Sequence, residues 1–107
     1  MVRALAVLLA QLVATPIVSE TVETDDRRTI DLGTFECRDI NRSTVLQRVC
    51  YDPTRHDLVV ATGGFDARYC GVAAKTVDQL LGAPSMGQFF NRHIRREAAG
   101  RRYDCSA

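Results

Sequence analysis

Histidine, closely spaced cysteines and long apolar runs are all scarce in these 107 residues. His56 and His93 are the only histidines. Catalysis needs an acid, base or nucleophile in company, and the sequence gives neither histidine an assigned partner. His56 falls in a turn, and His93 has only Glu97 one helical turn away, a spacing typical of exposed helix pairs. Ser85 is better explained as a helix cap than as a nucleophile, and Gly63-Gly64 lacks the surroundings of a phosphate loop. The chain therefore reads as a non-enzyme that needs no cofactor.

Cys37, Cys50, Cys70 and Cys105 are never closer than thirteen positions. That spacing excludes the C-x-x-C pairs of common zinc sites, and no metal is expected. The main apolar run, Ala4 to Ala14, is broken by Gln11. It falls short of the roughly 20 residues needed to span a bilayer. Preceded by Arg3 and followed by Pro16 and Ser19, it reads as a secretory signal over residues 1–19, cleaved before Glu20. No cysteine directly follows the run, which argues against a lipid anchor. The expected location is periplasmic or secreted, with no stable membrane span after cleavage.

Export gives the four cysteines a meaning: in an oxidising compartment they form two disulfides. A mature chain of about 88 residues buries limited apolar area, and small secreted domains often compensate with cross-links. Charge is split along the chain. Residues 20–36 carry six acids and two arginines, whereas residues 37–107 carry eleven basic residues and seven acids. A basic domain of this size suits an anionic ligand or surface, and equally suits solubility.

Residues 20–34 (ETVETDDRRTIDLGT) lack apolar periodicity and read as an acidic arm, flexible or lying along an edge. Val45–Tyr51 reads as a strand, Asp52 to His56 as a turn and Leu58–Thr62 as a second strand. Gly63-Gly64 signals a tight hairpin into a third strand over Phe65–Val72. Ala73–Leu81 reads as a helix with Val77, Leu80 and Leu81 on one side, closed by Gly82 and Pro84. Ser85-Met86-Gly87-Gln88 matches a capping box and opens a second helix to about Arg96. Met86, Phe90 and Ile94, four apart, form its buried stripe. The expected fold class is α+β: a three-stranded antiparallel β-meander, with room for a fourth N-terminal edge strand, packed against two C-terminal helices.

From Ser43 to Arg95 the chain resembles the KTSC domain, a short module named after the C-terminal tail of some lysyl-tRNA synthetases and also found alone in bacteria. The resemblance rests on Ser43-Thr44, Tyr51-Asp52, Tyr69, Val72 and above all Ser85-x-Gly87-x-Phe89-Phe90-Asn91-Arg92-x-Ile94-Arg95. The family's Tyr-x-Tyr motif appears here as Ala67-Arg68-Tyr69. Nucleic-acid binding has been supposed for the family by association with the synthetase. On this resemblance residues 35–107 form a KTSC-like domain with disulfide-bearing extensions, in an exported variant that acts as an interaction module.

Meander geometry discriminates among the disulfide pairings. Cys50 and Cys70 lie on its outer strands, about 9.6 Å apart by strand spacing, beyond the roughly 6.8 Å reach of a bridge. If residues 35–40 fold back beside the first strand, Cys37 meets Cys50 and leaves Cys70 to Cys105. The pairing Cys37–Cys105 with Cys50–Cys70 stays open as the alternative.

For binding, Arg92, Arg95 and Arg96 share a helical face at i, i+3 and i+4, with Arg101 and Arg102 just beyond. Guanidiniums so placed can hold phosphates or carboxylates through paired hydrogen bonds. Asn91 and Tyr69 complete the candidate set. An envelope protein or an anionic ligand is the expected partner class, and nucleic acid is the alternative that export disfavours.

Overall fold

A computed structural model describes residues 20–105. The expected signal segment lies outside the described residues. The strands are β1 (Thr21–Glu23), β2 (Thr29–Asp31), β3 (Glu36–Asp39), β4 (Arg48–Asp52), β5 (Asp57–Thr62) and β6 (Phe65–Tyr69). They are followed by α1 (Ala74–Gly82), α2 (Met86–Phe90), a π-turn (Asn91–Arg95) and α3 (Arg96–Ala99). The last three join end to end in helical backbone and form one rod.

Strands β3-β4-β5-β6 form an antiparallel meander in that spatial order, so the fourth, N-terminal edge strand is present. Its register places Cys37 opposite Cys50, and the bridges are Cys37–Cys50 and Cys70–Cys105. The β5–β6 turn is two residues long, with Thr62 opposite Phe65. Gly63 and Gly64 both take positive φ there, at 55° and 89°. Side chains with a Cβ are strained in that region, which is why the turn is Gly-Gly.

Strand alternation sorts the sheet's apolar residues between its two faces. Val49, Tyr51, Leu58 and Val60 join the main core with Val77, Leu80, Met86, Phe90 and Ile94. Cys50 and Val59, the residues between them, face the other way and meet Leu32, Val22, Ile30 and Phe35. The second face is thus covered by β1 and β2, which pair as an antiparallel hairpin. Of the two expectations for residues 20–34, a flexible arm or one lying along an edge, the structure shows an ordered hairpin that also bridges the β6 edge at Thr24. A two-stranded hairpin gains most of its stability from what it covers, so three-residue strands leave little local signal.

Smaller differences have local causes. The first meander strand begins at Arg48 rather than Val45, because the Ser43 hydroxyl accepts from the amides of Val45 and Leu46, at 3.1 Å each, and holds them in a turn. The third strand ends at Tyr69, and Gly71 follows with φ 71°. Gly82 is the last residue of α1 and has no positive φ; Ala83 is the C-cap. The Arg42 guanidinium completes that end, donating to the carbonyls of Leu81 at 2.7 Å and Ala83 at 2.8 Å. A cation there satisfies free carbonyls and suits the helix dipole.

Asp52 links the hairpin's exit to the meander. Its buried carboxylate accepts from the Thr34 hydroxyl at 2.8 Å and from the Thr54 and Arg55 amides at 2.9 and 3.2 Å. Thr34, ahead of the two amides, holds the Asp52 carboxyl below its ordinary value against the opposing cost of burial. A depressed folded-state pKa stabilises the fold above the unfolded value, near 3.9 for Asp, and that contribution is lost as pH falls through the folded value. Thr34→Val is therefore expected to lower the denaturation midpoint at neutral pH. Its gap from the parent protein should narrow below about pH 4. A gap independent of pH would contradict this role for the Thr34 contact.

Candidate functional site

The last helical rod carries the residues singled out from the sequence. Ser85 caps it, its hydroxyl accepting from the Gln88 amide at 3.4 Å; the return contact from Gln88 is not found among the described residues. Gly87 has a packing reason to lack a side chain. A Cβ there would come within 2.9 Å of a Val45 methyl, so either the helix or the Val45 side chain would have to shift.

Along the rod Met86, Phe90 and Ile94 are buried. Phe90 meets the Tyr69 ring edge-on, with centroids 5.8 Å apart and planes at 78°. In the π-turn the Arg96 amide bonds back to the Asn91 carbonyl, an i→i+5 contact. Such widened turns are frequent at functional sites, and this one carries Asn91, Arg92 and Arg95, with Arg96 directly after.

Asn91, Arg92, Arg95 and Arg96 are all exposed. None of the three arginines forms an ion pair among the described residues, whereas Arg48, Arg68 and Arg102 pair with Glu20, Asp57 and Glu97. Tyr69 is placed differently. Its ring is buried and meets Phe90 edge-on. Burial pushes its phenol above the ordinary value, opposed by the charge of Arg95 and reinforced by Asp25. Tyr69 is therefore part of the core, with its hydroxyl end in reach of Arg95's field.

Tyr69 also borders an open cleft of about 470 Å³ between the β1–β2 turn, β6 and the C-terminal tail. Arg28, Arg68 and Arg101 line it together with Asp25, Asp26 and Asp104, so its charges balance. A second recess of about 290 Å³ gathers Ser43, Thr44, Ser85, Gly87 and Asn91, with Arg42 at its rim. These come from the two ends of the sequence pattern, and the fold brings them together. Both serine oxygens are already occupied as acceptors in caps. Sequence reasoning singled out Asn91 here but missed Arg42, whose role depends on α1 ending beside it.

His93 meets Phe89 at a tilt, with ring centroids 4.6 Å apart and planes at 41°. Glu97 pairs with Arg102 at 3.6 Å rather than with His93. His56 is exposed in the β4–β5 turn, with φ 59°. Among the described residues no three His, Cys, Asp or Glu side chains are grouped to hold a metal, and no helix is long and apolar enough to cross a membrane.

A family model described as the KTSC domain matches residues 42–97, just over half of the chain. No curated protein matches the sequence. The chain is similar to a solved structure, the crystal structure of the KTSC domain protein YPO2434 from Yersinia pestis. The TM-score is 0.54 at 22% identity, over 57% of this chain and 86% of that one. At that identity the likeness speaks to the fold alone. The matched span runs from just before the Ser43 turn to Glu97, leaving β1, β2, β3 and the tail outside it.

Proposed function

The chain belongs to the KTSC domain family, and from that premise we propose that it is an exported, non-catalytic interaction module. One observation carries the reading. Each disulfide joins a cysteine inside the family span, Cys50 or Cys70, to one outside it, Cys37 or Cys105. The bridges thus fasten added segments onto the family's domain, and such cross-links persist in oxidising compartments. Residues 1–19, which read as an export signal, fit the same reading. The module binds a partner in the envelope or outside the cell. Expressed with its own N-terminus in a bacterial host, the protein is expected in the periplasmic fraction, without free thiols. Recovery from the cytoplasm with reactive thiols would overturn the export reading.

A second reading is favoured by Arg92, Arg95 and Arg96, three exposed guanidiniums with no ion pair among the described residues. They suit a polyanion, nucleic acid included, bound through phosphate or sulfate groups. On this reading the protein is retained on immobilised heparin at low salt and eluted as salt rises. Arg92→Ala with Arg96→Ala, both on exposed positions, is expected to abolish most of that retention and leave the melting curve unchanged. Retention equal to that of an uncharged control resin would remove the reading.

A further inference from the structure

The two edges of the four-stranded sheet differ. The β6 edge is occupied at both ends. Thr24 bridges Asp66 in the parallel sense, the Asp25 amide donates to the Asp66 carbonyl at 2.8 Å, and the Cys70 amide donates to the Tyr103 carbonyl at 3.1 Å. The β3 edge has no neighbour beyond it among the described residues, and all four of its residues are exposed.

The hydrogen-bond phase of β3 follows from two observations. The Ile40 amide donates to the Gln47 carbonyl at 2.9 Å, continuing the β3–β4 register. The Cα atoms of Cys37 and Cys50 are 4.0 Å apart, the close spacing of a pair that does not exchange backbone hydrogen bonds. Since the two kinds of pair alternate, Glu36 and Arg38 point their backbone groups at β4, while Cys37 and Asp39 point theirs outward. The Phe35 amide, next in the outward series, is taken by the Leu32 carbonyl at 3.0 Å. The side chains alternate too. Glu36 and Arg38 lie opposite Tyr51 and Val49, on the helix side of the sheet, where they line a groove with Val77 and Leu81.

We propose that the β3 edge is a self-association surface, to which a second copy of this chain adds its own β3 antiparallel, centred on Cys37. Outward groups must face outward groups, so only registers that match Cys37 and Asp39 with odd-numbered partners can form. Centred on Cys37, the two Cys37 residues exchange a pair of backbone hydrogen bonds, and each Asp39 amide meets the free carbonyl of the other copy's Phe35. Glu36 then lies opposite the other copy's Arg38, twice, in the positions where cross-strand side chains are closest. The neighbouring symmetric registers place Arg38 against Arg38 or Glu36 against Glu36. Charge complementarity therefore selects both the occupant and the register. The same short, charged strand discourages unspecific strand addition. This surface is separate from the arginines of the last helix, and its test does not depend on what they bind.

Sedimentation velocity over a concentration series tests the proposal. The oxidised parent protein is expected to dimerise reversibly. Arg38→Glu should weaken the dimer about tenfold or more by turning two attractive pairs into repulsive ones. The double variant Glu36→Arg, Arg38→Glu should restore the parent's association. Asp39→Pro removes an outward amide and an exposed carboxylate but no bond of the β3–β4 ladder, so it should weaken the dimer while the melting curve shows the monomer still folded. A parent protein that stays monomeric at its highest soluble concentration would overturn the proposal. So would a dimer indifferent to Arg38→Glu and Asp39→Pro, or a charge-swapped variant that remains as weak as the single one.

Discussion

Replacing Cys70 and Cys105 together by serine is expected to cost about 4 kcal/mol of stability. The bridge spans 35 positions, and closing a loop of that length removes much of the unfolded chain's freedom. It also holds the tail in place: Tyr103 is buried, and its carbonyl accepts from the Cys70 amide. The Cys37–Cys50 bridge spans 13 positions, so its removal should cost less, about 3 kcal/mol. It also joins strands already paired by a ladder, which keeps the native geometry after the bridge is lost. Urea denaturation with linear extrapolation measures both. A loss below about 1 kcal/mol for the Cys70, Cys105 variant would mean that the tail is held without the bridge.

Phe90→Ala should be the most damaging single truncation in the last helix, at about 3–5 kcal/mol. Phe90 is 1% exposed and packs edge-on against Tyr69. Its neighbour Phe89 is only half-buried and leans on exposed His93 at a tilt, so Phe89→Ala is expected to cost about 1 kcal/mol, nearer the typical point mutation. The contrast between adjacent phenylalanines tests the rotational setting of the helix. Equal losses would mean that the helix packs with a different face inward.

The π-turn left a trace in the sequence. Met86, Phe90 and Ile94 recur every four residues, but an α-helix turns every 3.6. Each step of four therefore drifts by about 40°, which the widened turn at Asn91–Arg95 takes up in part. The same turn carries Arg92 and Arg95, exposed with Arg96 directly after it, and the charge of Arg95 opposes the rise in the Tyr69 pKa.

The meander was legible because its turns announce themselves. Asp52-Pro53 and Gly63-Gly64 have few alternatives to turning, and the resulting strand order brought Cys37 to Cys50. The β1–β2 hairpin was not legible, because Val22, Ile30 and Leu32 gain their burial from Cys50 and Val59, far along the chain. Arg42 was hidden for the same reason, since its partners are the carbonyls of Leu81 and Ala83. Ser43 and Ser85 were legible as pattern residues, and the structure supplies their physical basis as caps of a turn and a helix. Tyr69 stands among the binding candidates for its ring, which in the fold meets Phe90 edge-on.

The most direct test of the stapled, exported module is a non-reducing tryptic map of the protein recovered from a bacterial envelope, read by mass spectrometry. Arginine and lysine positions separate all four cysteines into different peptides. Residues 29–38 (TIDLGTFECR) should appear joined to residues 49–55 (VCYDPTR), and residues 69–75 (YCGVAAK) joined to residues 103–107 (YDCSA). The N-terminal peptide should begin at or near Glu20. A peptide joining Cys50 to Cys70, four unlinked cysteine peptides, or an N-terminus still carrying residues 1–19 would contradict the account.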